Sequence, residues 1–541
     1  MTAPTARIAT DQRDPIWVTA TFGAVAAAGC VFAFVGLAAN GYSTDELFTL
    51  FLIDHNGGLA EVFRRALTDT HPPAYYAALY GWSRLFGFSE IALRALSGLF
   101  CIAAVGVFVL GAGRAFSPAA RAFAAAIAAT SYFWFFQSQN VRNYGLCLLT
   151  SAILLALAVR ARSAAREGRA APAPLILALI VTGLLGAFVH AYAFLTTGAV
   201  FLYLVVTIAQ MRLRIALVLA GLAILCLELG YDRLLLAHTQ QDIHHMWFRS
   251  DAGFILGAVA SAYRQTLGIF ASAAALILAV VAVRRRLRRR PAASPVEGGW
   301  TAGLCLFVTA GVIVAGVAVS LLLAPSISDQ NILVASPFLW GLTARLYDLG
   351  RPKPGSRGAL ALAAALAVLV AAGLGLQPAR WLPRIEPWRE AAQYLRRLPG
   401  CANQVVPVAE PPRFGPATPF FQAISERYLF GWYLRGSDVH TRAFPAAAFT
   451  GAGPDQELSA LLRQRMASPA ACPALAWAAH DIDSPTAQVI ARRLSAASVT
   501  AGGRISIQTF YSTPHRGLGF PRRPSAWIYL FARQGEAPRP G

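Results

Sequence analysis

The chain has 541 residues, of which 56% are hydrophobic and only 13% carry a charge. Soluble proteins carry about 25% charged residues, so this composition excludes an ordinary water-soluble protein and indicates a surface that largely faces lipid. The net charge of +21 fits either a nucleic-acid partner or a membrane topology signal. The longest arginine run, 284–290, lies between two apolar stretches. That position favours the topology signal and argues against nucleic acid as a partner.

Apolar stretches that approach the roughly 20 residues needed to cross a bilayer recur along the first two thirds of the chain. We predict eleven spans, at 16–40, 93–113, 122–137, 144–160, 173–190, 193–210, 215–235, 266–283, 300–323, 332–347 and 359–378. With the N-terminus in the cytoplasm, all five clusters of basic residues between the spans lie inside, as membrane topology requires. We therefore expect a multi-pass protein of the bacterial inner membrane whose C-terminal region lies in the periplasm.

Two long regions are predicted on the outer face, a first outer loop at 41–92 and a C-terminal region at 379–541. Within the loop, 74–86 has aromatic residues at helical spacing and predicts an amphipathic helix at the interface. The C-terminal region alternates helical and strand-like patterns, which is typical of a small α/β domain. The predicted fold is a polytopic α-helical membrane module, 1–378, followed by an extracytoplasmic α/β domain, 379–541. Cys401 and Cys472 stand alone in that domain and predict a disulfide there.

Two adjacent carboxylates, Asp45 and Glu46, follow the first span. Either one can serve as the general base for a sugar hydroxyl, and both are candidate catalytic residues. Glu46 has an alternative interpretation, because Ser43 and Glu46 have the spacing of a capping box. Asp45 is the better candidate, since a carboxylate in the first turn of a helix interacts favourably with the helix dipole and is left to point into a cavity.

Basic and aromatic residues at the outer ends of the spans are candidates for holding a phosphate. Arg142 offers a planar guanidinium and Tyr144 a hydroxyl at one helix junction, and Arg94 lies at the outer end of the second span. His71 precedes two prolines that display it near the membrane surface, where it either contacts a phosphate, a metal or an acceptor, or simply caps a helix. Further cavity candidates on the outer face are Arg264, His190, Tyr192 and Tyr75.

The order of these motifs resembles the GT-C glycosyltransferases, and within them the protein O-mannosyltransferase and aminoarabinose transferase branch. The resemblance rests on the carboxylate pair, His71-Pro72-Pro73, the segment 90–94 and Arg142-Asn143-Tyr144 in that order. It implies that Asp45 is the base, that the donor is a polyprenyl-phosphate sugar held by basic outer-face residues, and that the displacement inverts the anomeric carbon without a nucleotide. Many relatives have an Arg-Tyr pair near the start of a late span, where this chain has Ser328-Asp329-Gln330-Asn331, so Arg142 or Arg264 would hold the phosphate, or the donor differs.

We therefore expect a membrane glycosyltransferase, with a transporter or flippase of a lipid-linked saccharide as the alternative. An assembly protein that uses its spans only as an anchor is a third interpretation. The sugar is open, and so is the acceptor, which is lipid A, a polysaccharide, another lipid or a protein. No cofactor is required by this chemistry and no metal site is predicted. Metal dependence stays open, since the carboxylates and histidines of the outer face could converge.

Overall fold

The computed structural model describes residues 15–239, 249–287, 298–351, 357–375, 386–410, 419–451, 455–467, 472–479, 482–512 and 523–534. Part of the arginine run, 288–290, and the predicted domain boundary after residue 378 lie outside the described residues.

Helices fill the first two thirds of the chain. In chain order they are α1 (Ile16–Phe32), α2 (Thr44–Leu52), α3 (Gly58–Ala66), α4 (Ala74–Phe86), α5 (Glu90–Gly111), α6 (Pro118–Thr130), α7 (Tyr132–Ser138), α8 (Tyr144–Arg166), α9 (Ala173–Ala187), α10 (Ala191–Thr207), α11 (Met211–Thr239), α12 (Ala252–Thr266), α13 (Gly268–Leu287), α14 (Gly298–Leu322), α15 (Asp329–Ile332), α16 (Ser336–Gly350) and α17 (Arg357–Gly375).

Every predicted span coincides with a helix or a bent pair of helices. Within the described residues, five helices (α5, α8, α11, α13 and α14) are long and apolar enough to cross a membrane, and the pair α6–α7, bent by 64°, makes a sixth. Four of the other predicted spans, at α1, α9, α10 and α17, are shorter apolar helices, and α16 occupies the remaining one. The multi-pass helical architecture is therefore confirmed, while the count of eleven crossings stays a prediction.

The bundle has a buried centre and a lipid-facing rim. Helices α6 and α8 are almost wholly buried, whereas α11, α13 and α14 expose large apolar side chains. The contact between α1 and α6 depends on Gly29, because a Cβ there would lie 2.6 Å from the carbonyl oxygen of Ala129. Since α1 ends just before the first long loop, this close packing fixes where that loop leaves the bundle.

Three short helices, α2, α3 and α4, form the loop between α1 and α5 at one end of the bundle, which we call the site face. The predicted amphipathic helix is present as α4. It is tied to the bundle because the backbone N–H of Ala74 donates a hydrogen bond of 2.9 Å to the carbonyl of Phe188, after α9. The first loop is thus docked on the turn between α9 and α10.

The C-terminal region forms a mixed α/β unit. Its elements are α18 (Trp388–Arg397), β1 (Gln404–Glu410), α19 (Pro419–Ile424), β2 (Val439–Pro445), α20 (Ala446–Thr450), α21 (Gln456–Ala467), β3 (Ala474–Ala478), α22 (Ser484–Thr500), β4 (Gly503–Ser512) and β5 (Arg523–Arg533). The sheet order is β2-β1-β3-β5-β4, with β2, β1 and β3 parallel and β5 antiparallel to both its neighbours. The predicted disulfide between Cys401 and Cys472 is present.

This unit packs on the site face of the bundle through polar contacts. The Tyr428 hydroxyl donates a hydrogen bond to Asp54, directly after α2. The Tyr433 hydroxyl accepts a hydrogen bond from the backbone N–H of Tyr42 at 2.5 Å and donates one to Glu90 at 2.9 Å. The C-terminal unit therefore holds both ends of the segment that carries the carboxylate pair.

Candidate active site

The carboxylate pair lies in the first turn of α2. Ser43 is the N-cap, and the predicted capping box is present: the Ser43 hydroxyl accepts from the backbone N–H of Glu46, and Glu46 accepts from the backbone N–H of Ser43 at 2.9 Å. Adjacent residues of a helix point in different directions. Glu46 is consequently buried while Asp45 is exposed, so only Asp45 is accessible to a substrate.

Arg94 is the partner of Glu46 inside the protein. Its guanidinium donates to the Glu46 carboxylate through Nε at 2.9 Å and Nη2 at 2.6 Å, and to the carbonyls of Leu37, Asn40 and Gly41. Both side chains are almost fully buried. Burial alone would raise the pKa of Glu46, but the charge and hydrogen bonds of Arg94 hold that pKa below its ordinary value.

This geometry corrects two of the sequence-based assignments. Arg94 has no donor left for a phosphate, because every nitrogen of its guanidinium is already bonded to Glu46 or to a loop carbonyl. Glu46 accepts a further bond of 3.0 Å from the backbone N–H of Val141, so its oxygens are occupied as well. The pair joins the first loop to α5 and to the α7–α8 junction, which is a structural role.

A second carboxylate reaches the N-terminus of α2 from the C-terminal unit. Glu386 Oε2 accepts hydrogen bonds from the backbone N–H of Thr44 at 2.5 Å and from its hydroxyl at 2.9 Å. The indole N–H of Trp388 completes the contact with Thr44 Oγ1 at 3.2 Å. Thr44 immediately precedes Asp45, so the position of Asp45 is fixed from both sides.

A buried chain of charged and polar groups lies beside Asp45. Nδ1 of His71 lies 3.2 Å from Nη2 of Arg142. The same His71 nitrogen lies 3.2 Å from Oδ2 of Asp69. The Tyr76 hydroxyl also donates to Asp69 Oδ2, and the backbone N–H of Thr70 donates to Oδ1 at 2.8 Å. Asp69, His71 and Arg142 therefore form one connected cluster, which we call the Asp69–Arg142 cluster.

The charges in this cluster support one another. Burial alone would raise the pKa of Asp69, yet His71, Arg142 and the Tyr76 hydroxyl hold it well below its ordinary value. Burial likewise would lower the pKa of Arg142, but the Tyr76 hydroxyl and the carboxylates of Asp45 and Asp69 raise it. The hydrogen bond of 3.0 Å from Val141 to Glu46 sets the residue before Arg142 against the residue after Asp45. This contact brings the exposed carboxylate and the buried guanidinium into one site.

Two more predicted residues complete the wall of this site. His190 is the N-cap of α10, and its ring centroid lies 5.2 Å from that of His71 and 5.5 Å from that of Tyr144. His190 is buried, and its Nδ1 accepts a hydrogen bond of 3.0 Å from the backbone N–H of Tyr192. The Tyr144 hydroxyl donates to Asn331 Oδ1 at 3.3 Å. The structure thus brings His190, predicted for the acceptor cavity, next to residues predicted for the donor phosphate, namely His71, Arg142 and Tyr144. The roles of all four stay predictions.

The remaining predicted cavity residues have other surroundings. Tyr75 is fully buried and its hydroxyl lies 3.2 Å from Ser97 Oγ, so it packs inside the bundle. The Tyr192 hydroxyl lies 3.3 Å from Ser326 Oγ, and the Ser326 carbonyl accepts a hydrogen bond of 2.8 Å from Asn331 Nδ2. Arg264 is exposed near the end of α12, and no contact in the described part of the chain joins it to the Asp69–Arg142 cluster. Of these three residues, only Arg264 is exposed to solvent.

The segment Ser328–Asn331, noted above as a departure from the relatives, forms part of the site. Asn331 contacts Tyr144, and the buried Asp329 accepts from Ser261 at 2.5 Å and from Gln265 at 2.6 Å. This segment supplies amide and carboxylate groups to the site. Among the residues that the structure describes, no three His, Cys, Asp or Glu side chains converge as metal ligands.

Sequence reasoning missed Asp69 and Glu386. Asp69 is two residues before His71, and that short spacing in a loop is the signal by which it could have been found. Glu386 is 342 residues from Thr44, and no local pattern connects them.

No protein-family model matches the chain, and no curated protein sequence does. Solved structures do. The chain is similar to ArnT, an aminoarabinose transferase, from Cupriavidus metallidurans in the apo state, with a TM-score of 0.55 and 14% identity over 95% of this chain and 97% of that one. The chain has the GT-C fold. The same transferase bound to undecaprenyl phosphate matches with a TM-score of 0.53 and 14% identity, over 97% of this chain and 99% of that one.

The GT-C fold predicted from the order of motifs is therefore confirmed, and the match to ArnT includes the C-terminal unit as well as the bundle. A third GT-C structure, the arabinofuranosyltransferase AftD from Mycobacteria, has a TM-score of 0.44 and 15% identity, over 96% of this chain and 40% of that one.

Proposed function

We propose that this chain is a membrane glycosyltransferase that takes its sugar from a polyprenyl-phosphate donor at the site face. One observation carries the proposal: a hydrogen bond of 3.0 Å from the backbone N–H of Val141 to Glu46 sets the exposed carboxylate of Asp45 next to the buried guanidinium of Arg142. A transfer from a lipid phosphate needs a base for the acceptor and a positive charge for the departing phosphate. The GT-C fold, seen in ArnT with undecaprenyl phosphate bound, supports a lipid-phosphate donor.

Asp45 is the proposed base. It lies in the first turn of α2, whose N-terminus is held by Ser43, Glu46 and Glu386. A base must be held within hydrogen-bond reach of the proton that it accepts. A rigid support lowers the entropy that is lost in reaching this geometry. In the reaction, the acceptor hydroxyl oxygen attacks the anomeric carbon while its proton passes to Asp45.

Arg142 is the proposed ligand of the donor phosphate. As the bond between the anomeric carbon and the phosphate oxygen breaks, its electron pair stays on that oxygen, and a preorganised guanidinium stabilises the new charge. His71 lies against the same guanidinium, and the carboxylate of Asp69 behind it balances the positive charge. Attack opposite the leaving phosphate inverts the anomeric carbon, and no nucleotide takes part.

The sidedness also belongs to the proposal. The clusters of basic residues support a cytoplasmic N-terminus and a periplasmic site face, because basic loops of membrane proteins stay inside. The prenyl tail would then lie along the apolar bundle while the C-terminal unit covers the acceptor.

The test is complementation with Asp45→Asn. Glycolipids and glycans of cells with and without the gene are compared first, which identifies the product. We expect Asp45→Asn to lower product formation by roughly a hundredfold or more, the range for loss of a general base, with normal amounts of protein in the membrane. Glu457→Gln, which removes an exposed carboxylate from the C-terminal unit, is the control and should be fully active. Full activity of Asp45→Asn would contradict the proposal. So would the finding that cells with and without the gene make the same glycolipids and differ only in the side of the membrane on which these lie, which is the result expected of a flippase.

A further inference from the structure

A cavity, which we call the groove, lies at the end of the bundle opposite Asp45. Helices α5 and α8 both begin at the site face, and the cavity is formed where they end, together with the start of α9. Its volume is about 620 Å³. Arg160 is 16 residues after the start of α8, which corresponds to about 24 Å along the helix. A bilayer core is about 30 Å thick, so this groove reaches the level of the opposite lipid headgroups.

The groove has a cationic rim and apolar walls. Three guanidiniums line it, those of Arg114, Arg160 and Arg169, and the walls are made by Leu110, Gly111, Leu157, Val159, Leu175 and Ala178. The apolar surface continues along α9 toward the bilayer centre through exposed side chains, Leu177 and Val181. A cationic rim above apolar walls is complementary to a phospholipid. The phosphate would lie at the rim, at the level of the headgroups, and an acyl chain would lie along the walls.

The rim is preformed. Glu167 forms ion pairs with Arg114, at 3.1 Å, and with Arg169. The loop that carries Arg169 is held by Gln210, whose Nε2 donates to the Arg169 carbonyl at 2.7 Å and whose Oε1 accepts from the N–H of Ala171 at 2.9 Å. Because Gln210, the residue before α11, ties this loop in place, Arg114 and Arg169 are held beside Glu167 before any lipid arrives.

The charge balance selects the class of lipid. Three guanidiniums and one carboxylate leave two positive charges at the mouth of the groove. Arg160 is exposed, and within the described residues neither a hydrogen bond nor an ion pair engages its guanidinium. Guanidiniums bind phosphate through paired hydrogen bonds, and a zwitterionic headgroup would bring a repelled ammonium to the same rim.

We propose that this groove binds an anionic phospholipid, with its phosphate diester at Arg160, Arg114 and Arg169 and one acyl chain along α8 and α9. The site is separate from the proposed donor site, since it lies at the other end of the same helices. It holds a resident lipid whether or not the chain is a glycosyltransferase.

The experiment measures lipid binding to the full chain. Purified protein is placed in phosphatidylcholine nanodiscs with and without phosphatidylglycerol, and the retained lipids and the thermal unfolding midpoint are recorded. We expect phosphatidylglycerol to be retained and to raise the midpoint. Arg160→Gln should weaken its binding about tenfold, the effect of losing one charge-assisted contact. Arg212→Gln, an exposed arginine at the same end of the bundle and outside the groove, is the matched control and should bind as the parent does.

Several outcomes would overturn the proposal. Equal retention of phosphatidylcholine would show that the rim does not select charge. An equal rise in the midpoint with inorganic phosphate would show that the arginines bind a free anion rather than a lipid. Equal losses in Arg160→Gln and Arg212→Gln would show that attraction comes from the whole basic surface. The comparison of lipids on the parent protein is informative even if a variant is poorly produced.

Discussion

Glu386 accepts two hydrogen bonds from Thr44, the residue before the proposed base Asp45. A carboxylate at a helix N-terminus satisfies backbone N–H groups that have no partner within the helix. The C-terminal unit thereby fixes the first turn of α2, and the exposed carboxylate stands on a support built from two distant parts of the chain.

We expect Glu386→Gln to lower kcat about tenfold and to leave the KM for the donor nearly unchanged, because the charge-assisted bonds to Thr44 weaken while Arg142 is untouched. Thr44→Val is the companion variant, since it removes only the hydroxyl and leaves the backbone bond, and it should lose less activity. Steady-state kinetics of both variants test this. A rise in KM with an unchanged kcat would mean that Glu386 acts on donor binding instead.

The adjacent carboxylates Asp45 and Glu46 should separate activity from stability. Glu46→Gln leaves the buried guanidinium of Arg94 without its counter-charge, and breaking a buried pair in this way lowers the free energy of unfolding by about 3 kcal/mol. Asp45→Asn removes an exposed charge and should unfold as the parent does. Thermal unfolding in detergent distinguishes them. Equal stability of the two variants would show that Glu46 does not stabilise the fold.

The stabilisation by Glu46 should depend on pH. Its pKa in the folded protein lies below the ordinary value of 4.5, so the stabilisation is present above about 4.5 and is lost as the pH falls through the lower, folded value. The difference in unfolding midpoint between the parent and Glu46→Gln should therefore be largest near neutral pH and shrink in acid. A difference that grows as the pH falls would contradict this sign.

Asp69 should act through His71 and Arg142. We expect Asp69→Asn to lower kcat by about tenfold to a hundredfold, because the charge-assisted bonds that orient His71 are lost. Tyr76→Phe removes one donor to the same oxygen but keeps the carboxylate charge, and its loss should be smaller. The pH profile of kcat should change for Asp69→Asn and not for Tyr76→Phe. Identical losses and profiles would indicate a packing role only.

The disulfide should stabilise the C-terminal unit. Cys401 and Cys472 are 71 residues apart, and closing a loop of that length stabilises the folded state by about 4 kcal/mol in the chain-entropy model. Cys401→Ser/Cys472→Ser should therefore unfold at a lower temperature, and a reducing agent should lower the midpoint of the parent but not of the variant. Free cysteines in the bundle, such as Cys101, do not respond in this way because they are unpaired.

Local patterns predicted the features that depend on nearby residues. Hydropathy located the helices of the bundle, and the spacing of Ser43 and Glu46 predicted the capping box. Helical periodicity identified the apolar face of α4, yet it did not show that the face bearing Tyr75 packs against α5 rather than a cavity. Periodicity reports which side chains share a face and carries no information on what that face meets.

Long-range partners could not be predicted for the same reason. Arg94 has the position of a phosphate ligand in the sequence, but its partner Glu46 is 48 residues away, and only the folded structure shows that its donors are occupied. The Asp69–Arg142 cluster joins the first loop to the α7–α8 junction across 71 residues. A guanidinium that is occupied and one that is available look identical in a sequence.

The contact between Glu386 and Thr44 orders events during biosynthesis. Glu386 follows Thr44 by 342 residues, so the ribosome completes α2 long before it reaches this partner. Until the C-terminal unit has been made and has folded against the site face, the first turn of α2 lacks that anchor. The complete support of this turn therefore exists only late in the synthesis of the chain.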